Sequence, residues 1–213
     1  MVDNRSDHRS DGSPRGMCES VGCYIRQGQY PPSNPIDWIE HEHGLQLVLC
    51  ERLEQIADRL PATTDPNLVH GLIQLLRGGM APHDRMEEEC LFPILCRRCV
   101  SDTLLAEICG QLEREHAQNR DLCWELAEEL ADFSQAGMPR NAEMLGYMLR
   151  GHFGSQRRHI EWENRILLPV ARTRLLTSDL SELQKWMDDN GHRRFTDFLH
   201  LVISTPTRGL GPD

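Results

Sequence analysis

The sequence predicts an all-α fold: an antiparallel up-down-up-down four-helix bundle followed by a short C-terminal fifth helix. Three observations carry this expectation. From Ile36 onward β-branched residues are sparse, and no alternating apolar run reads as a strand. Prolines and capping residues divide that stretch into four long helical segments joined by connections of a few residues, which makes successive helices antiparallel. The chain of 213 residues is 39% hydrophobic, enough for one sizeable core, with no apolar run long enough to span a membrane.

Each element has its own reason. Residues 1–35 carry Asp, Ser, Gly, Arg and Pro with little periodicity and end in Pro31-Pro32-Ser33-Asn34-Pro35, the composition of a mobile arm. The bundle is expected over 36–176. Its first helix has Pro35 in the first turn and stops at Leu60-Pro61. Asp65 caps the second, Pro66 opens it, and it runs to about Cys99, with an internal Pro93 that kinks it or marks its last third. Ser101 or Asp102 caps a third helix ending between Phe133 and Gly137. Pro139 opens a fourth that reaches about Leu176 with Pro169 inside it, and Ser178 caps a shorter fifth ending at Asn190-Gly191. In the tail, within 177–213, Phe195, Phe198, Leu199 and Val202 recur at helical spacing and suit a cap on the bundle better than a dimer contact.

Charge and cysteines narrow the function classes. Acidic residues outnumber basic ones 33 to 23, for a net charge of −10, which argues against nucleic-acid and anionic-membrane partners. Eight cysteines without an apolar leader over Met1–Gly16 point to free thiols in a reducing cytoplasm. Cys50, Cys90, Cys109 and Cys123 fit helical core positions, Cys96-x-x-Cys99 lacks the second pair of a zinc site, and nothing surrounds Cys18 and Cys23 to give them a role.

The informative feature is an internal repeat. His83-x-x-x-Glu87 precedes Leu91-Phe92-Pro93, and His159-x-x-x-Glu163 precedes Leu167-Leu168-Pro169, at an offset of 76 residues. Ahead of each stands a Glu-His pair, Glu42-His43 and Glu115-His116, offset by 73 and followed by Leu49-Cys50-Leu53 and Leu122-Cys123-Leu126. Two helical hairpins of one design result. A residue and its i+4 neighbour share a helix face, so each His-x-x-x-Glu pair can reach one point. Counted at about 1.5 Å per residue from the bends, the four histidines fall in nearly one layer. Four imidazoles and two carboxylates meeting in a core are too costly to leave unpaired; they suit two transition-metal ions, with iron favoured and manganese or zinc as alternatives.

On these motifs the chain resembles the hemerythrin-like (HHE cation-binding) family over about residues 36–176. The resemblance implies a carboxylate-bridged di-iron centre in a four-helix bundle, with His43, His83, His116 and His159 as terminal ligands and Glu87 and Glu163 as bridges. Two departures separate the chain from oxygen carriers of that family. Arg120 stands where their third helix has a second histidine, and the fourth helix offers Glu163 followed by Asn164 in place of His-x-x-x-x-Asp. The six-ligand pattern resembles the bacterial and regulatory branch and leaves a coordination position open to a small ligand.

His41 competes with His43, which the matching Leu-Cys-Leu register favours, and Asp84 is a possible added ligand. His152 is expected to line a pocket or hold structure, with His8, His70, His192 and His200 on the surface. Glu88, Glu89 and Glu161 read as solvated flank charges, and Met86, Leu91, Trp162 and Leu167 as a dry wall. A ferritin-like reading through Glu40-x-x-His43 and Glu113-x-x-His116 leaves His83 and His159 unexplained. The expected function is a cytoplasmic non-haem di-iron protein that binds or senses a small oxidant such as O2, NO or peroxide. The alternatives are a di-iron enzyme of iron-centre repair or NO or peroxide removal, and a metal-stabilised interaction module. Either a monomer or a homodimer is compatible with this reading.

Overall fold

The computed structural model describes residues 32, 34–62 and 65–204. The expected arm therefore lies almost wholly outside the described residues, as do His8, Cys18 and Cys23. The described chain is an all-α bundle, and none of its helices is long and apolar enough to cross a membrane.

Helix α1 (Pro35–Arg59) starts where Asn34 Oδ1 accepts the Ile36 N–H at 2.9 Å. Helix α2 (Pro66–Gln74) starts in the same way, with Asp65 Oδ1 accepting the Asn67 N–H at 2.8 Å. The expected continuous helix to Cys99 is broken. Gly78 takes a φ of 140°, which no helix interior accommodates, and a new helix, α3 (Ala81–Met86), begins with Pro82 in its first turn. A π turn over Glu87–Leu91 then leads into α4 (Phe92–Arg98). In that turn the Phe92 N–H reaches back to the Glu87 carbonyl, one residue further than in an α-helix. Pro93, which has no N–H and would crowd the preceding turn, follows this π turn in the first turn of α4 and so falls in the last third of the 66–98 segment.

The second hairpin repeats this device. Helix α5 (Thr103–Ala136) is capped by Asp102, whose Oδ1 accepts the Leu105 N–H at 3.0 Å, and closes on Gly137 at φ 73°. Helix α6 (Ala142–Trp162) begins later than Pro139, because Asn141 Oδ1 supplies the cap to the Met144 N–H at 3.0 Å. A π turn over Glu163–Leu167 precedes α7 (Leu168–Arg174) and absorbs Pro169.

The C-terminal part contains two helices where one was expected. Helix α8 (Thr177–Asp189) has its N-cap at Leu176, not Ser178, since Asp179 Oδ2 accepts the Leu176 N–H at 2.8 Å. The same carboxylate takes Arg98 Nε at 2.6 Å and ties α8 to the end of α4. Gly191, at φ 65°, turns the chain into α9 (His192–Ser204).

Helix α1 packs against α6, α2 against α5, and α5 against α6. The core is in two clusters. One joins Leu45, Leu49 and Leu53 with Leu72, Leu126, Leu130 and Leu149. The other joins Ile36, Trp38 and Ile39 with Met86, Leu91, Phe92, Leu112 and Leu168. Helix α9 adds Leu199 and Val202 to the first cluster, the expected cap, while α8 adds Leu183 and Met187 to the second. Each buried leucine or isoleucine contributes roughly 1.5–3 kcal/mol. Between the two clusters each hairpin places buried polar side chains: Glu42-His43 and His83 in the first, His116 and His159 in the second.

Candidate metal centre

The polar layer brings together all six residues singled out by the repeat. His43, His83, Glu87 and Glu163 form one group, and Glu87, His116, His159 and Glu163 form a second, with potential ligand atoms within 4.8 Å of one another in each. The two groups share both glutamates. All six side chains are buried, with Glu87, Glu163 and His43 at 0% exposure.

Every imidazole turns Nε2 inward. His43 Nε2 lies 3.2 Å from Glu163 Oε2 and 3.7 Å from Glu87 Oε1. His83 Nε2 is 3.6 Å from Glu87 Oε1, and His116 Nε2 is 3.4 Å from Glu87 Oε2. His159 Nε2 is 3.0 Å from Glu163 Oε1. The two π turns begin at Glu87 and at Glu163, so the local widening of the helix falls where each carboxylate is presented.

Each Nδ1 is held from behind, in a pattern that repeats between hairpins. Glu42 Oε2 lies 2.9 Å from His83 Nδ1, and Glu115 Oε2 lies 3.0 Å from His159 Nδ1. The residue after each shared glutamate holds the other histidines: Asn164 Oδ1 is 2.7 Å from His43 Nδ1, and Glu88 Oε1 is 2.9 Å from His116 Nδ1. These contacts fix ring orientation and point each Nε2 to the centre. Glu88 is therefore no solvated flank charge; Arg120 Nη1, 3.0 Å from its Oε1, pins it in turn.

The electrostatics are those of buried imidazoles facing buried carboxylates. Burial by itself would raise the Glu163 carboxyl, but His159 and His43 hold it well below the usual carboxylate range. Burial would lower His43 and His159, and the facing carboxylates outweigh it, raising them to about 10 and about 9. Glu42, opposed by burial and stabilised by His192 and His83, comes down to about 2. Despite this charge, both oxygens of Glu87, both of Glu163, and His43 Nε2 are buried without an aligned hydrogen bond. Buried polar atoms in that state cost several kcal/mol between them unless something else binds them. A metal ion fits: imidazole nitrogens and carboxylate oxygens are its usual donors, and the facing side chains leave those five atoms without an aligned hydrogen bond.

Other candidates fall elsewhere. His41 stands outside both groups, with its Nε2 2.9 Å from His200 Nε2. Asp84 is buried beside Arg120 Nη1, at 3.5 Å from its Oδ2, and belongs to neither group. Glu40 pairs with Arg172 at 2.6 Å and Glu113 is exposed, so the ferritin-like set does not assemble. His152 is buried against Asn119 Oδ1 at 2.9 Å, and burial lowers it to about 4. His70 is exposed, as are Glu89 and, in large part, Glu161 beside Arg165. Met86, Leu91 and Leu167 are fully buried, but Trp162 is 52% exposed and no part of a wall. Phe92 takes that place, stacked on His116 with centroids 6.2 Å apart. The six described cysteines are free, and burial pushes the thiols of Cys50, Cys109 and Cys123 up to about 12.

His192, expected on the surface, is 1% exposed with Nε2 2.9 Å from Glu42 Oε2. His200 is only partly exposed, against His41. Glu42, His83 and His192 also come within ligand distance of one another, but hydrogen bonds at 2.9 Å already close that group. The repeat contained a signal for Glu42 and Glu115, which precede His43 and His116; no local signal marked His192.

No curated protein and no solved structure matches the chain. The family model of the hemerythrin HHE cation-binding domain matches residues 34–171, which takes in both hairpins and the whole polar layer and ends ahead of α8 and α9. With well over half of its length under that model, and both glutamate-sharing His/Glu groups inside the matched span, the chain belongs to the hemerythrin HHE cation-binding family.

Proposed function

We propose that His43, His83, His116, His159, Glu87 and Glu163 hold two iron ions, and that this cytoplasmic protein uses them to bind or sense a small oxidant: O2, NO or peroxide. The observation that supports it best is the set of five buried, unsatisfied ligand atoms at the waist of the core. Two imidazoles would serve each ion, and Glu87 and Glu163 would be shared between them. Four protein donors leave a first-row ion short of a full shell, so a small ligand has a place to bind. Bound iron would supply that open position and a readily given electron.

The chain's own residues prepare the place. Glu42, Glu88, Glu115 and Asn164 keep the four imidazoles turned inward, so binding needs little rearrangement. Phe92, Met86, Leu91 and Leu167 wall one side with apolar surface and limit water at the centre. Metal analysis of protein from its native host should find two irons per chain. The visible absorption spectrum of the loaded protein should change on adding O2, NO or peroxide. A loaded protein whose spectrum ignores all three would overturn the sensing reading and leave a metal-stabilised bundle, recognised by a lower melting temperature after chelation.

A further inference from the structure

Helix α9 lies beyond the span matched by the family model, yet one of its faces is built against the polar layer. His192, Thr196 and His200 stand one turn apart in succession on that face. Opposite them, on α1, stand Trp38, His41 and Glu42. His192 Nε2 meets Glu42 Oε2 at 2.9 Å, and the Thr196 hydroxyl donates to Glu42 Oε1. Trp38 Nε1 lies 3.1 Å from both Thr196 Oγ1 and Glu42 Oε1. His200 meets His41 as described above. Thr196 is 0% exposed, and so is Glu42.

Glu42 is thus a carboxylate with two jobs. It takes donors from α9, and its Oε2 fixes His83 Nδ1. The apolar contacts of α9 are close as well: a Cβ added at Gly71 of α2 would stand 3.0 Å from Val202 Cγ1, so a glycine there lets α9 lie flat on α2. Among the described residues no helix covers the equivalent glutamate of the second hairpin, Glu115, in this way, and 36% of its side chain is exposed.

We propose that α9 is a positioning helix for the His83 half of the metal centre, acting through His192 and Thr196 on Glu42, and that its docking is coupled to the loading of that half. The inference rests on the metal-binding reading above and on no particular gas or oxidant. With α9 docked, Glu42 has its oxygens occupied in one orientation and His83 is held ready. With α9 lifted, Glu42 can rotate and His83 loses its fixed ring plane. By linkage, an ion bound at His83 must hold α9 down to the same degree that α9 favours the ion. The C-terminal helix then carries the loading state of a buried centre to the surface of the bundle.

The test compares Thr196→Val, which keeps the shape and removes the hydroxyl, with Thr196→Ser, which keeps the hydroxyl. Each is loaded with iron, or with zinc as a redox-silent probe, and challenged with a chelator. In the parent protein release should occur in two phases. Thr196→Val should speed the phase assigned to His83 by about 10- to 100-fold, leave the other phase unchanged, and be reversed by Thr196→Ser. Hydrogen exchange of the amides in 192–204 should slow on loading in the parent protein and slow less in Thr196→Val. A melting curve of metal-free Thr196→Val establishes that it folds; should it not, the exchange comparison of loaded and metal-free parent protein decides alone. Two ions bound tightly, with release rates indifferent to Thr196 and exchange in α9 indifferent to loading, would overturn the proposal while metal binding stands. A parent protein that binds no metal would overturn the metal-binding reading itself.

Discussion

In the half of the polar layer that holds His43 and His83, the carboxylate behind His83 is completely buried and receives donors from α1 and α9. In the half that holds His116 and His159, the carboxylates behind the rings are Glu88 and Glu115, with 24% and 36% of their side chains exposed, and the cation that steadies Glu88 is Arg120, itself 42% exposed. The inward-facing atoms of the two halves are alike. Their surroundings differ because α9 covers the first hairpin, while nothing among the described residues covers the second in the same way. A duplicated motif therefore gives two equivalent sets of inward-facing groups but only one protected set, and on the proposed two-ion reading the two ions should differ in how firmly they stay.

The strongest way to break this comparison is to remove what the halves share. Glu163→Ala takes away a carboxylate that faces both imidazole pairs, and metal content should fall from two ions per chain to nearly none. Retention of one tightly held ion would show that the halves are independent. Next in size, His83→Ala and His116→Ala should each lose one ion and keep the other, and metal analysis of the two purified variants checks this.

Acid should act on both halves. His43 and His159, one from each, are raised above the ordinary imidazole value in the metal-free chain and carry protons at neutral pH. A metal ion must displace those protons, so affinity rises with pH and falls as pH drops, by about tenfold per unit for each displaced proton. Titrations in buffers of different ionisation heat should record proton release at pH 7. Uptake without release would contradict the assignment.

The smallest effect sharpens the difference between the halves. Glu42→Gln and Glu115→Gln are the same change at equivalent positions. The buried Glu42 should cost about 10- to 100-fold in retention of its ion, and the partly solvated Glu115 less than about tenfold, because water can replace a lost contact there and not at Glu42. Equal effects in a chelator-release assay would remove the distinction.

The six residues that meet in the polar layer were legible because their spacing obeys local geometry. An i,i+4 pair on a helix needs no knowledge of tertiary structure, and the recurrence of His-x-x-x-Glu with its Glu-His partner singled out six residues from many. The helix starts at Pro35 and Pro66, and the cap at Asp102, were legible for the same reason. The start of α6 was misjudged because Pro139 is a stronger sequence signal than the Asn141 that caps it. The break at Gly78 had a signal, the Gly78-Gly79 pair ahead of Pro82, but the helical pattern on either side concealed it. Glu88 was misread because its charge looks solvated until Arg120 and His116 are brought beside it.

By itself the sequence determined the helical class, the two hairpins, the layer of histidines and the carboxylates between them, since each depends on spacing within one helix or on the length of one turn. Which carboxylates stand behind the inward-facing imidazoles, and that a helix outside the repeat closes one half, depends on how distant helices pack. His192 and Glu42 are 150 residues apart in the chain, and a hydrogen bond over that distance leaves no periodicity to read. It exists because burying Leu199 and Val202 against the first core cluster sets α9 where its polar face meets Glu42.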